Sequence, residues 1–185
     1  MEISKEEKRI LLSAARSSIA SSFKGENISK KDFPDFPLFS LHCGAFVTLT
    51  IGGRLRGCIG YILSNDPLIE TVIAAARFAA FEDYRFSPLT EHELQKVEIE
   101  ISILSVPFPM NTYDDIKIGV HGLILEEKGK RGLLLPQVPV EHKMNLEEYL
   151  DAICEKTGFP SGYWRNKQLK MNLFTADIFS ERSLD

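Results

Sequence analysis

GGRLRGCIGY, residues Gly52–Tyr61, carries four glycines, two arginines and one of the chain's three cysteines. Phe46–Ile51 before it, FVTLTI, is rich in β-branched residues and predicts a strand, and Arg54–Tyr61 predicts the returning strand of a hairpin. Two loop lengths can be compared by the faces they produce. A two-residue loop at Gly52-Gly53 places Val47 and Leu49 on the same face as Arg56 and Cys58, mixing apolar with polar. A three-residue loop, Ile51-Gly52-Gly53 with Gly53 at positive φ, pairs Leu49 with Leu55 and Thr48 with Arg56. That register gives Val47, Leu49, Leu55 and Ile59 one face and Thr48, Thr50, Arg54, Arg56 and Cys58 the other. An odd-length loop is therefore expected. Gly57 and Gly60 leave room for another backbone to come close. Two cations and a thiol on one strand face predict a site.

On the N-terminal side, Ser4 and Glu7 form a capping box, and Ile10, Leu11, Ala14, Ala15, Ser18 and Ile19 make a helical stripe. Gly25–Ser40, with Pro34 and Pro37 among phenylalanines, predicts a loop that packs aromatics over the core. On the C-terminal side, Asp66 and Pro67 predict a helix start, with Asp66 as N-cap and Pro67 at the first helical position of Pro67–Phe81. FEDYRF (Phe81–Phe86) interrupts that helix, and Thr90 with Glu93 caps a short helical turn. Val97–Leu104, VEIEISIL, alternates so that Val97, Ile99, Ile101 and Ile103 share one face and Glu98 and Glu100 the other. Ile116–Glu126 and Arg131–Leu135 predict two strands joined around Lys128-Gly129, ended by Pro136–Pro139. Asn145 with Glu148 opens a helix over Leu146–Thr157, and Met171–Phe179 predicts a final strand. Hairpin-linked strands with interposed helices predict an α+β fold with an antiparallel sheet.

Composition narrows the classes. A chain of 185 residues, 44% hydrophobic and 26% charged, suits a single globular domain. The net charge of −4 argues against a broad nucleic-acid footprint. No apolar run approaches the length of a membrane span, and three widely spaced cysteines fit reduced thiols. A cytoplasmic location is expected. No phosphate loop, dinucleotide fingerprint or serine elbow is present.

LRGCIG, followed by FED-x-RF, IEISIL, HGL, RGLLLPQV, a Val140-Glu141-His142 step and Tyr163-Trp164, resembles the AMMECR domain family, named after the Alport syndrome, midface hypoplasia, intellectual disability and elliptocytosis chromosomal region. The resemblance runs from about Gly44 to Phe179. Tyr84 departs from it, since the family usually has proline there. The resemblance implies an α+β fold with an antiparallel sheet and a smaller helical lobe; the length, with no repeat and no low-complexity linker, predicts one domain spanning residues 1–185 in which any second lobe shares the core. It implies no reaction. Prokaryotic members resemble parts of a three-component system with a Memo-like protein and a radical SAM protein, which are the partners it suggests.

The candidate residues each carry two readings. Cys58 is either a small core residue or a thiolate favoured by Arg54 and Arg56. Cys43 and Cys154 are assigned to the core. Arg56 is either paired across the sheet with Glu98 or Glu100, or a bidentate anchor for a carboxylate or phosphate ligand. Asp83 and Arg85 most simply pin the loop to the following helix, with a ligand contact as their alternative, and a general acid–base role for Glu82 or Asp83 lacks a partner at known spacing. His121 is the histidine best placed for catalysis beside Cys58, with a satisfied core histidine as its alternative. Gln137 either offers an amide to a ligand or caps a strand end, and Glu141 is a further ligand-binding candidate beside His142. Cys58, His121 and Glu141 or His142 have the right chemistry for zinc or iron, but only the last two are close in sequence, so no metal or cofactor is expected. Two functions follow: an enzyme, or an enzyme component, binding a small anionic ligand at the LRGCIG face, or a non-catalytic protein-binding or scaffold module.

Overall fold

The computed structural model of the chain describes residues 3–184. In chain order the regular elements are α1 (Lys5–Phe23), β1 (Ala45–Ile51), β2 (Arg54–Tyr61), α2 (Leu68–Phe81), α3 (Glu91–Leu94), β3 (Val97–Leu104), β4 (Phe108–Pro109), β5 (Gly122–Glu127), β6 (Lys130–Leu134), α4 (Val138–Glu141), α5 (Leu146–Lys156), β7 (Met171–Phe174), β8 (Ala176–Ser180) and α6 (Glu181–Leu184). The class is α+β, with two antiparallel sheets ordered β2-β1-β3-β8 and β4-β7-β5-β6. The chain divides into two compact units. One runs to Leu104 and resumes at Asp177; the other is Ser105–Ala176. Among the described residues no helix is long and apolar enough to cross a membrane.

In the first unit α1 begins at the expected capping box: the Glu7 N–H donates to Ser4 Oγ at 3.2 Å and the Ser4 N–H donates to the Glu7 carboxylate at 2.9 Å. Leu11, Ala14, Ala15 and Ile19 on its inner face are buried with Val72, Ala75, Ala76 and Ala79 of α2 and with the inward residues of the sheet. The alanine run of α2 is what lets it lie close. A side chain on Gly57 would strike the Ala79 carbonyl, so the glycine permits α2 and β2 to approach. Phe39 and Leu38 of the Gly25–Ser40 segment are buried over this core, as expected. The helix start differs by one residue. Pro67 is extended and is itself the N-cap, its carbonyl accepting the Thr71 N–H at 2.9 Å, while the Asp66 side chain makes no cap.

β3 joins the hairpin's sheet, and Val47 faces Ile101 while Thr48 faces Glu100. The hairpin loop is corrected. It has two residues, Gly52 and Gly53, both at positive φ (58° and 76°), as the tight hairpin turns that match strand twist require. The extra residue expected in the loop lies in the strand instead. Pairing runs Ile51 to Arg54 and Thr50 to Leu55, then slips at a bulge so that Leu49 faces Gly57 and Arg56 is the residue left over. Beyond the bulge Val47 faces Ile59 and Thr48 faces Cys58, so the apolar and polar faces separate as expected. Leu55 does not belong to the apolar face. It comes to the side of Thr50 and is exposed.

In the second unit Leu123, Leu125, Leu173 and Met171 from the sheet pack with Tyr149, Leu150 and Ile153 of α5. The expected Asn145–Glu148 capping box opens α5, and the β5–β6 hairpin turns at Lys128-Gly129 with both residues at positive φ. Three expectations are corrected. The strand from Ile116 begins only at Gly122, because the Val120 and His121 N–H groups both turn back to the Lys117 carbonyl around Gly119 at φ 78°. The Pro136–Pro139 stretch leads into α4. The final strand is two strands that join different sheets, divided at Thr175, which exchanges hydrogen bonds with Ser105.

Candidate functional site

β2 is an edge strand, so the backbone groups it turns away from β1 have no ladder partner. At Cys58 the FEDYRF loop supplies one. The Cys58 N–H donates to Asp83 Oδ2 at 2.9 Å, and Arg85 Nη2 donates to the Cys58 carbonyl at 3.2 Å. The two side chains lock each other: Arg85 Nη2 reaches Asp83 Oδ2 at 2.7 Å, and Arg85 Nε and its backbone N–H reach Asp83 Oδ1 at 2.9 and 3.2 Å. Asp83 is buried, and such a carboxylate requires this saturation to remain ionised. The Arg85 hydrogen bonds hold its pKa far below the usual carboxylate range, against the opposing effect of burial. The same contact raises the pKa of Arg85.

Arg56, the bulge residue, is held in a second clasp. Its Nε and Nη2 donate to the two Glu93 carboxylate oxygens at 2.9 and 3.1 Å, and Nη1 and Nη2 donate to the Ser87 and Pro88 carbonyls at 2.9 and 3.3 Å. Glu93, rather than Glu98 or Glu100, is therefore its carboxylate. In the register the latter two face Thr50 and Thr48, one strand removed from β2, and Glu98 pairs with Arg182 at 3.1 Å. Glu93 also accepts the Thr90 N–H and hydroxyl, both at 2.9 Å, so one carboxylate caps α3 and grips the bulge. Its pKa is pushed down to about 2, chiefly by Arg56 and then by Thr90. Arg54 is exposed beside the turn.

Cys58 is half-buried, and the Thr48 hydroxyl donates to its Sγ at 3.3 Å. Across three strands the register aligns Cys58, Thr48 and Glu100 in one row. Cys43 and Cys154 are buried as expected, and burial pushes both thiols up. A half-buried thiol with a hydroxyl donor is thus the chemically distinctive group on this face.

The remaining candidates lie in the second unit. His121 Nδ1 is 3.0 Å from the Asp115 carbonyl and 3.2 Å from the Lys117 N, and its ring meets Phe108 edge to face at 5.7 Å between centroids. Gln137 opens α4, and its Oε1 is buried with no hydrogen-bond partner among the described residues. Glu141 and His142 are exposed at the end of α4. Among the described residues no cluster of three or more His, Cys, Asp or Glu is placed to hold a metal ion. Sequence reasoning missed two participants, Glu93 and Thr48. The Thr90-x-x-Glu93 box had marked Glu93 only as a helix cap.

Comparison with known proteins gives a consistent family. The AMMECR1 family model matches residues 12–179. Protein Ta0236 of Thermoplasma acidophilum is 39% identical over 175 residues, covering 91% of this chain and 84% of that protein. Protein MJ0810 of Methanocaldococcus jannaschii is 41% identical over 175 residues, covering 90% and 86%. The crystal structure of the uncharacterized protein PH0010 from Pyrococcus horikoshii superposes with a TM-score of 0.85 at 38% identity, covering 94% of this chain and 90% of that one.

Proposed function

This chain belongs to the AMMECR1 family, and we propose that it works as a protein-binding component rather than as a self-sufficient catalyst. The observation that supports this reading is the saturation of Arg56, Asp83 and Arg85 by partners within their own unit. A small anion at the LRGCIG face would have to displace Glu93 from Arg56 or Asp83 from Arg85. Hydrogen bonds to charged groups are each worth about 1.5–3 kcal/mol net, so such a ligand starts at a deficit. The candidate partners are those the resemblance suggests, a Memo-like protein and a radical SAM protein. The test mixes the purified chain with the Memo-like and radical SAM proteins encoded in the same genome and measures association by analytical ultracentrifugation. Binding to at least one is expected with a Kd of about 10 μM or tighter, roughly 7 kcal/mol of association free energy. Absence of association with both overturns the reading.

A second reading, an enzyme component acting through the Cys58 thiol, is favoured by the half-buried Sγ and its Thr48 donor. It requires iodoacetamide near neutral pH to label Cys58 in the native protein ahead of Cys43 and Cys154, and Arg56→Ala to slow that labelling. Labelling of Cys58 only after denaturation removes this reading.

A further inference from the structure

In the first unit, away from the LRGCIG strand, α1 and α2 leave a cavity of about 280 Å³ between them. Ser18, Ser21 and Ser22 line it from α1, and Glu70 and Arg77 from α2, with Glu26 at its margin. Serines between helices usually serve close packing, and here they would then be expected to close the gap. The gap stays open. Ser18 and Ser21 are nevertheless buried, and every serine proton is committed to a carbonyl: Ser18 to Ile73 across the cleft at 2.8 Å, Ser21 and Ser22 to Ser18 at 3.1 and 2.8 Å. A hydroxyl that has donated its proton can only accept from anything else. Glu70 uses one carboxylate oxygen for the Lys30 N–H at 2.7 Å, leaving the second as a further acceptor.

The serines and Glu70 thus give the wall its acceptors, Asn27 adds an amide, Ile28, Ile73 and Ala74 are apolar, and Arg77 is its one cation. Arg77 is exposed; its guanidinium lies 5.3 Å from the neighbouring Phe78 ring centroid and forms no salt bridge among the described residues. Glu70 and Arg77 are seven residues apart on one helix face, about 10 Å along the axis, so opposite charges bracket the cavity without pairing. Its volume falls near the small end of ligand sites, which run from roughly 300 Å³ upward.

We propose that this cavity binds a small zwitterion of the amino-acid class, its ammonium among the serine and glutamate oxygens and its carboxylate on Arg77. An ammonium supplies three donors and no acceptor, which matches a wall of acceptors. A guanidinium is the usual fork for a carboxylate.

The test is an amide NMR titration of the full chain with glycine, L-alanine and L-serine, using ethylammonium and propionate as half-molecules. At least one amino acid is expected to give saturable shifts centred on Ser22, Asn27 and Ala74. Each half-molecule should bind at least tenfold more weakly, as should the amino acid to Arg77→Gln, a tenfold change being about 1.4 kcal/mol. Arg77 is exposed, so that variant keeps the fold. Ala74→Leu, which intrudes on the cavity, should weaken binding while leaving the rest of the spectrum in place. The proposal is overturned by any of three results: no saturable shift with all three amino acids, either half-molecule binding as well as they do, or unchanged affinity in either variant.

Discussion

Two clasps hold the LRGCIG strand, and they differ in where the charge is buried. In the Asp83–Arg85 clasp the aspartate side chain is 2% exposed and the arginine side chain 42%; in the Arg56–Glu93 clasp the arginine side chain is 13% exposed and the glutamate side chain 29%. The first clasp reaches the backbone of the edge strand and substitutes for a missing neighbour strand. The second reaches the carbonyls of Ser87 and Pro88 and ties the bulge to α3. Chemically similar pairs therefore have unequal importance, because Asp83 is the most deeply buried of the four charges and Arg85 is the counter-charge that offsets its burial.

Arg85→Ala should have the largest effect, since it leaves the Asp83 carboxylate buried without its counter-charge. A loss of about 3–5 kcal/mol is expected, typical of breaking a buried pair from one side. Asp83→Ala should cost less, about 2–3 kcal/mol, because the Arg85 side chain can turn to water and no charge is left buried, although the Cys58 and Arg85 backbone N–H groups both lose their acceptor. Urea denaturation of both variants measures the order. Equal losses would mean that burial of Asp83 does not set the difference.

Arg56→Ala should be milder again, about 1–2 kcal/mol, since Glu93 is partly solvated and keeps its Thr90 bonds. The pH response separates the clasps further. Glu93 has a folded pKa of about 2 against an unfolded value near 4.3. Its contribution is complete above the unfolded value and is lost as pH falls toward the folded one. The stability difference between the parent chain and Glu93→Gln should therefore shrink over that interval. Asp83, held lower still, should keep its contribution further into acid. A pH-independent difference for Glu93→Gln contradicts the second clasp.

The smallest effect concerns Tyr84, almost fully exposed between Asp83 and Arg85. Tyr84→Pro, the residue usual in the family, should change stability by less than about 1 kcal/mol. A larger loss would show that the loop depends on Tyr84 itself.

The contrast also explains what the sequence could disclose. Alternation in FVTLTI and VEIEISIL placed β1 and β3 and their faces, because a two-residue period survives any loop. It could not place the bulge: a supernumerary residue in the loop or in the strand yields the same faces for Val47, Thr48, Cys58 and Ile59, and only Arg54 and Leu55, between the loop and the bulge, change sides. The sequence leaves Arg56 either paired with Glu98 or Glu100 or anchoring a ligand; those two glutamates lie on β3, one strand removed from β2, and the carboxylate it meets is Glu93. The bulge brings it instead to a loop and helix that sequence spacing does not locate. The Asp83–Arg85 pair was legible as a loop lock. Its hold on Cys58 was not, since an edge strand is defined by which strands are absent beside it.

Amide hydrogen exchange at Cys58 tests most directly whether these charges serve the strand. The Cys58 N–H points away from β1 and has the Asp83 carboxylate as its acceptor. The amide should be protected in the parent chain and should exchange markedly faster in Asp83→Ala, while the inner amides of β1 stay protected. Exchange of Cys58 at the rate of an open loop in the parent chain, or protection unchanged by Asp83→Ala, would contradict the account.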